Sequence, residues 1–486
     1  MNDVSRAYDV IVIGAGPAGE NVADRTRAAG LSTVIIEHEL LGGECSFWAC
    51  EPSKALLRPV MARADARRVP GFRHAADGPL DVPAVLAHRD TMAEHWKDDD
   101  QVDWLDSVSV DLIRGHGRLT GEKQVVVETP EGDTVRLTAR HAVVVATGTG
   151  AALPDLPGLD SVRPWTSREA TSSSEVPGRL LVVGGGVVAV EMATAWQALG
   201  SQVTVLVRSE AGLLPRMEPF AGELVAEGLR EAGVDVRLGT SVISVTRQEP
   251  AGEVRAELKD GTETTADEIL FAIGRTPQTG KLGLETIGLT PGDWLRVDDT
   301  CRVTAVPDGW LYAVGDVNHR ALMTHQGKYQ ARIAGAVIGA RARGETLDET
   351  KWGAHTTTAD LVAVPQVVFT DPEVASVGLT TREAARTGRR VEVVDYDIGL
   401  VAGARQYAEG YRGTARMLLD EETGVVLGVT FVGPGVGELL YSATVAVTAE
   451  VTVDRLWHAV PAFPTISEVW LRLLETHRHR GTAEPC

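Results

Sequence analysis

The alternation of apolar and polar stretches near the amino terminus predicts a strand, a glycine-rich turn, a helix and a second strand. Residues 8–13 (YDVIVI) are mostly apolar and β-branched, as in a strand that is buried on both faces. Glycines interrupt this run in residues 14–19, a helical segment continues to Gly30, and a second apolar run ends at Glu37. This order of elements predicts a βαβ unit of a parallel sheet.

The glycines of this turn have the spacing GxGxxG. Gly14 allows the tight turn, Gly16 lets a pyrophosphate approach the backbone, and Gly19 packs the helix against the strand. Glu37 ends the second strand, where a carboxylate accepts hydrogen bonds from the ribose hydroxyls of an adenosine. A glycine-rich turn alone is a weak signal, but the preceding strand and the following acid together predict a bound dinucleotide.

The same pattern returns later in the chain, with Gly184, Gly186 and Ala189 at the three small positions. Alanine is tolerated at the third position because only helix packing depends on it. The second strand of this repeat ends in Val207 and Arg208, where an acid is expected. Because a guanidinium suits a 2′-phosphate, this change predicts NADPH, with NADH and a surface arginine as the alternatives.

Two different nucleotides in one chain indicate electron transfer between them, and a flavin is the usual intermediary. Arg216 is a weaker candidate for a second phosphate contact. Three further segments each predict a strand that ends beside a cofactor: residues 142–158 with Thr147 and Gly148, residues 269–284 with Gly274, and residues 309–317 with Asp316.

Length and charge narrow the class of protein. The 486 residues suggest three or four domains, and 67 acidic against 47 basic residues give a formal charge of −20. This charge argues against nucleic acid or an anionic membrane as a partner and fits a small-molecule substrate. No apolar run approaches the roughly 20 residues of a membrane span. The amino terminus leads directly into a strand, and four cysteines do not form a secreted disulfide framework, so a cytoplasmic protein is predicted.

Residues 42–57 (GGECSFWACEPSKALL) place two cysteines, Cys45 and Cys50, before a predicted helix that carries Lys54. The residues alone allow a redox couple, a metal site or two buried thiols. Zinc would need further ligands at short spacing, which neither Cys301 nor a nearby histidine pair supplies, so no metal site is predicted.

A disulfide in this segment would restrict the backbone, because its Cα atoms must lie within about 7 Å of each other. Residues five apart on a regular helix are too distant, so Cys45 is expected in an irregular turn, which Gly42 and Gly43 allow. Pro52 suits the first turn of the following helix. Cys50 lies near the positive end of that helix, which stabilises a thiolate.

Together these motifs resemble the class I pyridine nucleotide-disulfide oxidoreductases, the family of dihydrolipoamide dehydrogenase, glutathione reductase and mercuric reductase. The resemblance rests on both glycine fingerprints, on the Cys-x4-Cys-x3-Lys segment, on the Gly-Asp pair at residues 315–316, and on residues 364–380 (VPQVVFTDPEVASVGLT). It implies an α/β fold with two Rossmann-like domains, one for FAD and one for NAD(P), and an α+β dimerisation domain.

The resemblance also implies boundaries for these domains. The FAD domain would comprise residues 1–150 and 275–350, the NAD(P) domain residues 151–274, and the dimerisation domain residues 351–486. The protein would be a homodimer whose active site is shared between the subunits.

Roles for individual residues follow from the same resemblance. It makes Cys45–Cys50 a redox-active disulfide, with Cys50 facing the flavin as the charge-transfer thiol and Cys45 facing the substrate as the interchange thiol. Lys54 would pair with Glu191. The predicted cofactor contacts are Gly14, Gly16, Gly19, Glu37, Gly43, Lys54, the main chain near His116, Thr147, Gly148, Asp316, Gly184, Gly186, Glu191, Arg208 and Gly274.

The chain departs from the family at the catalytic acid. The family's "HPTxxE" segment corresponds to "VPAFPTISEVW", which has Phe463 at the histidine position and keeps Glu468. An imidazole there would protonate the departing thiol, a contribution typically worth about 10²–10⁴ in rate. His458 is a weak candidate for a substitute. A branch of the family that cleaves thioethers, 2-oxopropyl-coenzyme M oxidoreductase/carboxylase, also carries phenylalanine there, but it has histidine where this chain has Glu468.

For three other residues we prefer an interpretation without a catalytic role. Phe47 and Trp48 either line the substrate side of the disulfide or pack in the core, which is the more common fate of an aromatic side chain. Cys486 is more often an incidental tail thiol than a redox shuttle.

The leading hypothesis is an FAD-dependent, NADPH-oxidising homodimer that passes electrons through Cys45 and Cys50 to a thiol or disulfide substrate. A thioether-cleaving reductase/carboxylase and a quinone or electron-acceptor reductase are the alternatives. A flavoprotein subunit of a larger complex is disfavoured by the full set of catalytic spacings, and ordinary dihydrolipoamide dehydrogenase by Arg208 together with Phe463.

Overall fold

The computed structural model describes residues 3–249 and 252–482 of the chain. The chain divides into two compact units. The first unit comprises Met1–Pro52, Asp90–Ala152 and Arg275–Leu361, and the second comprises Ser53–Arg89, Leu153–Gly274 and Val362–Cys486. The division into three domains stays a prediction.

Helices and strands alternate along most of the described chain. The helices are α1 (Pro17–Ala28), α2 (Gly43–Phe47), α3 (Cys50–Arg67), α4 (Val82–Met92), α5 (Asp99–Ser107), α6 (Leu159–Val162), α7 (Ser167–Ser172), α8 (Val187–Leu199), α9 (Pro219–Glu231), α10 (Thr324–Ala342), α11 (Ala359–Val362), α12 (Thr381–Thr387), α13 (Ala402–Tyr407), α14 (Leu440–Thr448), α15 (Val453–Leu456) and α16 (Val469–Thr482). The strands are β1 (Asp3–Ile13), β2 (Thr33–Glu37), β3 (Asp111–Arg114), β4 (His116–Gly121), β5 (Gln124–Glu128), β6 (Thr134–Val145), β7 (Thr149–Ala151), β8 (Arg179–Val183), β9 (Gln202–Val207), β10 (Asp235–Leu238), β11 (Val242–Arg247), β12 (Val254–Leu258), β13 (Glu263–Ala266), β14 (Glu268–Phe271), β15 (Arg275–Pro277), β16 (Leu311–Ala313), β17 (Gln366–Val368), β18 (Glu373–Gly378), β19 (Val391–Asp397), β20 (Thr414–Asp420) and β21 (Val426–Gly433).

A seven-stranded sheet organises the first unit. Its strand order is β3-β2-β1-β6-β5-β4, and β16 also pairs with β6. Strand β1 lies between β2 and β6, parallel to both, and Val10, Ile11 and Val12 are fully buried. The prediction of a strand buried on both faces is therefore confirmed.

Helix α1 follows β1 through the first glycine turn. Pro17 occupies its first turn, where the missing N–H is not needed, and Val22 and Ala23 are buried. The helix ends at Ala28, and Gly30 then adopts a left-handed conformation with φ of 85°. Such a glycine is a common helix stop, as predicted.

The second unit contains three sheets. A parallel sheet has the order β10-β9-β8-β14, an antiparallel sheet the order β11-β12-β13, and a five-stranded antiparallel sheet the order β17-β18-β21-β20-β19. Strand β8 of the parallel sheet begins the second glycine repeat, and α8 follows its turn. The Trp196 side chain on α8 is completely buried in the core of this unit. The first unit has a mixed sheet with a parallel core of β3, β2, β1, β6 and β16, and the second unit has a parallel sheet. This mixed α/β fold confirms the predicted fold class. None of the helices within residues 3–249 and 252–482 is long and apolar enough to span a bilayer.

Candidate redox and nucleotide sites

The first glycine turn has two packed positions and one open position. Gly14 has φ of 100°, and a Cβ there would lie 2.6 Å from the carbonyl oxygen of Ala146. A Cβ on Gly19 would lie 1.9 Å from the carbonyl oxygen of Gly14. At Gly16 a Cβ would meet no atom within 4 Å. Only the middle glycine therefore leaves the backbone accessible, as a pyrophosphate at this turn requires.

Glu37 holds this turn through backbone hydrogen bonds. Its Oε2 accepts from the N–H of Ala15 at 2.8 Å, and its Oε1 accepts from the N–H groups of His38 and Glu39, each at 2.8 Å. Burial opposes ionisation, but hydrogen bonds from His38, Ala15 and Glu39 outweigh it and lower the pKa of Glu37. The His38 ring nitrogen also lies 3.2 Å from Oε1. Each carboxylate oxygen has about two acceptor positions, and among the described residues Oε2 accepts from Ala15 alone, so Oε2 keeps capacity for a ribose hydroxyl.

A second acid of the first unit, Asp316, lies in a polar cluster. Its Oδ2 accepts from the Thr149 hydroxyl at 2.8 Å, and the Arg275 guanidinium lies 3.7 Å from it. Burial raises the pKa of Asp316, against the hydrogen bond from Thr149 and the charge of Arg275. Arg275 also lies 3.9 Å from Glu44, on the short helix that carries Cys45.

Near this cluster, residues 147 and 148 leave room and hydrogen-bonding capacity for a ligand. The Thr147 hydroxyl oxygen is buried and has no hydrogen-bond partner within the described chain. Gly148 has φ of 64°, and a Cβ there would meet no atom within 4 Å. These features and the open Gly16 fit a dinucleotide such as FAD. His116 is exposed and its ring lies 4.5 Å from that of His38, so its predicted main-chain contact stays a prediction.

The cysteine segment lies against the first glycine turn. A Cβ on Gly43 would lie 3.0 Å from Cα of Gly16, and the N–H of Gly42 donates to the carbonyl oxygen of Ala15 at 2.8 Å. Gly43 has φ of 56°, a conformation that favours glycine. Cys45 is only two residues further on, so its position is tied to the predicted cofactor turn.

The local structure of the two cysteines differs in part from the prediction. Cys45 lies inside the short helix α2 and not in an irregular turn. The break that separates it from Cys50, the first residue of α3, falls at Trp48 and Ala49 instead. This interruption serves the predicted purpose, because the two residues do not share one regular helix. Pro52 lies in the first turn of α3, as predicted.

Both sulfurs contact the same hydroxyl group. The Thr324 hydroxyl donates to Sγ of Cys45 at 3.1 Å and lies 3.4 Å from Sγ of Cys50. The hydrogen bond with Cys50 and burial raise the pKa of the Cys45 thiol, whereas the hydrogen bond from Thr324 lowers it. The structure has both residues as thiols within hydrogen-bonding distance of one oxygen.

Lys54 and Glu191 form the ion pair that the resemblance implies. Lys54 Nζ lies 2.8 Å from Oε2 of Glu191, whose side chain is only 4% exposed. The N–H of Phe369 donates to Oε1 of the same carboxylate at 3.0 Å, and the Phe369 ring lies 5.0 Å from Lys54 Nζ. A buried carboxylate therefore fixes the lysine one turn after Cys50 on α3.

The second glycine turn repeats the design of the first. Gly184 has φ of 136°, and a Cβ there would lie 2.3 Å from the carbonyl oxygen of Ala272. Gly186 has no atom within 4 Å of such a Cβ, and Ala189 is fully buried. Gly274 is also open at its Cβ position. This turn therefore fits a second dinucleotide.

Two arginines flank this turn. Arg208 follows the end of β9 and is exposed, without an ion pair to any residue that the structure describes. The N–H of Leu214 donates to the carbonyl oxygen of Gly185 at 2.8 Å, which brings the loop before the exposed Arg216 back to the turn.

The carboxy-terminal candidates have contrasting environments. Phe463 is 76% exposed, whereas Glu468 is 5% exposed and accepts from the N–H of Gly403 at 3.3 Å. His458 is exposed, which agrees with a surface histidine. Cys486 lies outside the described residues.

The remaining cysteine and aromatic candidates lie in the core or beside it. Phe47 is fully buried, and its carbonyl oxygen accepts from the indole N–H of Trp96 at 3.1 Å, so it packs in the core. Trp48 is half-buried beside it. Cys301 is fully buried, and burial raises the pKa of its thiol. Within the described chain no group of three or more metal-ligating side chains is found.

Comparison with known proteins identifies the class. Residues 8–331 match the family "Pyridine nucleotide-disulphide oxidoreductase", and residues 364–473 match its dimerisation domain. Dihydrolipoyl dehydrogenase 3 of Pseudomonas aeruginosa is 32% identical over 474 residues, covering 95% of this chain and 96% of the relative. Dihydrolipoyl dehydrogenase of Chlorobaculum tepidum is 32% identical over 471 residues, covering 95% of each protein.

Solved structures have the same fold. LpdA from Mycobacterium tuberculosis is 28% identical with a TM-score of 0.80, covering 98% of this chain and 100% of the other. The HOCl-induced flavoprotein disulfide reductase RclA from Escherichia coli has a TM-score of 0.80 over 96% of this chain and 99% of its own; at 24% identity this likeness concerns the fold alone. The chain belongs to the pyridine nucleotide-disulphide oxidoreductase family. It is a flavin- and pyridine nucleotide-dependent oxidoreductase of the type that uses a redox-active disulfide.

Three residues of the sites were not found from the sequence. They are Thr324 at the cysteines, Arg275 at Asp316 and Phe369 at Lys54. Each is more than a hundred residues from at least one of its partners. Phe369 lies within residues 364–380 and Arg275 within residues 269–284, but neither was assigned a role, and Thr324 lies in none of the motifs. Arg275 follows the predicted cofactor residue Gly274, and Phe369 stands in a segment that carries the resemblance, so a sequence signal existed for both but not for Thr324.

Proposed function

We propose that the protein is a homodimer that uses NADPH to reduce a thiol-reactive or disulfide substrate through Cys45 and Cys50. FAD, when bound at the first glycine turn, carries electrons from the pyridine nucleotide to the disulfide. Gly14, Gly16 and Glu37 would hold it at that turn, and Asp316 would bind its polyhydroxy chain.

The observation that carries this proposal is the placement of the two thiols. Cys45 and Cys50 share the hydroxyl of Thr324, and Gly43 packs the same segment against the open Gly16. A pair of interacting thiols beside a dinucleotide turn is suited to two-electron exchange with a bound cofactor. Lys54, held by Glu191, lies one helical turn beyond Cys50 on the same helix, as in the Cys-x4-Cys-x3-Lys segment of the family.

The preference for NADPH is supported by the arginines of the second turn. Val207 stands where the first repeat has its acid, Arg208 beside it is exposed, and Arg216 follows a loop that is hydrogen-bonded to the turn. Two guanidinium groups beside a strand that ends without an acid suit the 2′-phosphate of NADPH.

The substrate is proposed to differ from that of the dihydrolipoyl dehydrogenases to which the chain is similar. Phe463 stands at the position of the family's catalytic histidine. It would lie in a pocket that the partner chain completes at the dimer interface. Its ring is 76% exposed, so it is available for such a contact. Because phenylalanine cannot protonate a leaving thiolate, we expect slow reduction of lipoamide and glutathione disulfide.

Replacing Phe463 by histidine tests this proposal. Phe463→His adds a candidate acid and should speed turnover of a plain disulfide about tenfold or more. Phe463→Leu is the matched control, because it removes the ring without adding an acid, and it should leave that rate low. Reduction of the flavin by NADPH, followed by stopped-flow absorbance, should be the same in all three proteins. Fast reduction of glutathione disulfide by the unmodified protein would show that the proton has another source.

Phe463 also favours a second candidate, a thioether-cleaving reductase/carboxylase. A site without an acid protects a carbanion from protons, so that CO₂ can capture it. Incubation with NADPH, a 2-ketoalkyl thioether and labelled bicarbonate distinguishes the candidates, because only this activity fixes the label. Phe463→His should then reduce carboxylation in favour of the protonated product.

A further inference from the structure

Three separate segments of the first unit meet at one hydroxyl group. Cys45 lies in α2, Cys50 begins α3, and Thr324 begins α10. The Thr324 oxygen lies 3.1 Å from Sγ of Cys45 and 3.4 Å from Sγ of Cys50. These lie within the range of hydrogen bonds to sulfur, so the hydroxyl bridges the two thiols.

The hydrogen-bonding capacity of this hydroxyl matches a dithiol that carries one negative charge. A threonine hydroxyl donates one hydrogen bond and accepts up to two. A singly ionised dithiol has one thiolate, which only accepts, and one thiol, which donates weakly. The hydroxyl of Thr324 can therefore donate to the thiolate while it accepts from the remaining S–H, whichever cysteine carries the charge.

Among the groups that act on Cys45, the Thr324 hydroxyl is the one that stabilises its thiolate. The contact with Cys50, burial and the negative charge of Glu51 raise the pKa of the Cys45 thiol, and the hydrogen bond from Thr324 lowers it. Glu44, on the same short helix as Cys45, lies 3.9 Å from the guanidinium of Arg275. Phe463 supplies no imidazole to take over this stabilisation.

We propose that Thr324 is a positioning residue that passes a proton between the two thiols and so activates Cys45 as the nucleophile. This inference rests on the proposed function, which makes Cys45 and Cys50 the working dithiol.

The step conserves protons, charge and electrons. The dithiol begins with Cys50 as thiolate and Cys45 as thiol. The O–H proton of Thr324 moves to Sγ of Cys50, while the S–H proton of Cys45 moves to the Thr324 oxygen. Cys45 becomes the thiolate and Cys50 the thiol, and the hydroxyl is regenerated. Cys45 then attacks one sulfur of the substrate disulfide, whose other sulfur leaves as a thiolate.

The test measures the reactivity of the thiols directly. The FAD-loaded protein is reduced with a phosphine, so that NADPH is not needed, and alkylated with iodoacetamide across a range of pH. Peptide mass spectrometry then gives separate rates for Cys45 and Cys50. Thr324→Val keeps the side-chain shape and removes the hydroxyl, and Thr324→Ser keeps the hydroxyl. Thr286→Val is the matched control, since within the described residues its hydroxyl donates to the carbonyl oxygen of Gly283 and contacts neither cysteine.

In Thr324→Val we expect alkylation of Cys45 at neutral pH to slow about tenfold and its midpoint to rise by about one pH unit, because a thiolate has lost a hydrogen bond. Thr324→Ser and Thr286→Val should remain within about twofold of the parent. A pH profile for Thr324→Val that superimposes on the parent profile would overturn the inference. If Thr324→Val fails to bind FAD, Thr324→Ala replaces it, and equal profiles for Thr324→Ala and Thr324→Ser would overturn it.

A separate arm distinguishes this inference from the proposed function. The same alkylation after reduction with NADPH asks whether the nucleotide opens the pair. Thiols that appear with phosphine but not with NADPH would contradict the proposed function, while the effect of Thr324 on Cys45 would still be measured.

Discussion

The two glycine-rich turns have the same backbone design. In each, the first glycine is left-handed, and a Cβ would press on a carbonyl oxygen, that of Ala146 at 2.6 Å in one turn and of Ala272 at 2.3 Å in the other. In each, the middle glycine faces open space. The backbone therefore defines both turns as dinucleotide sites without distinguishing between their ligands.

The difference between the turns lies in the residue at the end of the second strand. Glu37 is buried and accepts three backbone N–H groups, so it belongs to the framework of its turn as well as to the site. In the second repeat Val207 ends the corresponding strand, and Arg208, the next residue, is exposed. An acid built into the framework suits a cofactor that stays bound, and an exposed base suits a phosphorylated nucleotide that comes and goes.

Removing the acid of the first turn should have the largest effect. Glu37→Ala leaves the N–H groups of Ala15, His38 and Glu39 without this acceptor and removes the proposed ribose ligand. We expect FAD affinity to fall about 100-fold or more, since each hydrogen bond to a charged group contributes about 1.5–3 kcal/mol. Flavin fluorescence during dilution measures this loss. The FAD affinity of Glu37→Gln should lie between those of the parent and of Glu37→Ala. A Glu37→Ala protein that retains FAD as tightly as the parent would contradict the proposed role of Glu37 as a ribose ligand.

Reversing the charge at the second turn should have a smaller and selective effect. Arg208→Glu should lower kcat/KM for NADPH by about 30-fold and leave that for NADH within about threefold, because only NADPH carries the 2′-phosphate. Arg230→Glu, the same charge change on an exposed residue of α9, is the control and should change neither. Equal efficiency of the unmodified protein with both nucleotides would remove the basis of this comparison.

Adding one methyl group to the middle glycine of each turn tests the two nucleotide sites in the same way. Gly16 and Gly186 both have φ values that alanine adopts easily, −72° and −87°. Gly16→Ala should weaken FAD binding about tenfold, and Gly186→Ala should raise the KM for NADPH about tenfold, each without affecting the other cofactor. The melting temperature of the apoprotein should not change. Gly19→Ala is the contrast, since its Cβ would lie 1.9 Å from a carbonyl oxygen and should destabilise the fold.

The sequence predicted those features whose residues are close together along the chain. Both glycine repeats, the buried strand β1 and the stop at Gly30 depend on neighbouring residues, so local spacing was sufficient. The pairing of Lys54 with Glu191 came only from the resemblance, because 137 residues separate them.

Long-range contacts were beyond the reach of sequence patterns. Thr324 is 279 residues from Cys45, and no motif links them. The sequence predicted that the two cysteines do not share one regular helix. It placed Cys45 in an irregular turn and not in the short helix α2, because five residues are too few for a helical pattern to be recognised. The cytoplasmic location, the dimer and the cofactor preference stay predictions.

The most direct measurement is alkylation of the protein before and after anaerobic addition of one equivalent of NADPH, read out residue by residue by mass spectrometry. The account predicts that Cys45 and Cys50 are protected in the oxidised enzyme and become labelled after reduction. The buried Cys301 should stay unlabelled in both states. Labelling of Cys45 and Cys50 that is unchanged by NADPH, in protein whose flavin is reduced, would show that electrons leave without passing through this pair.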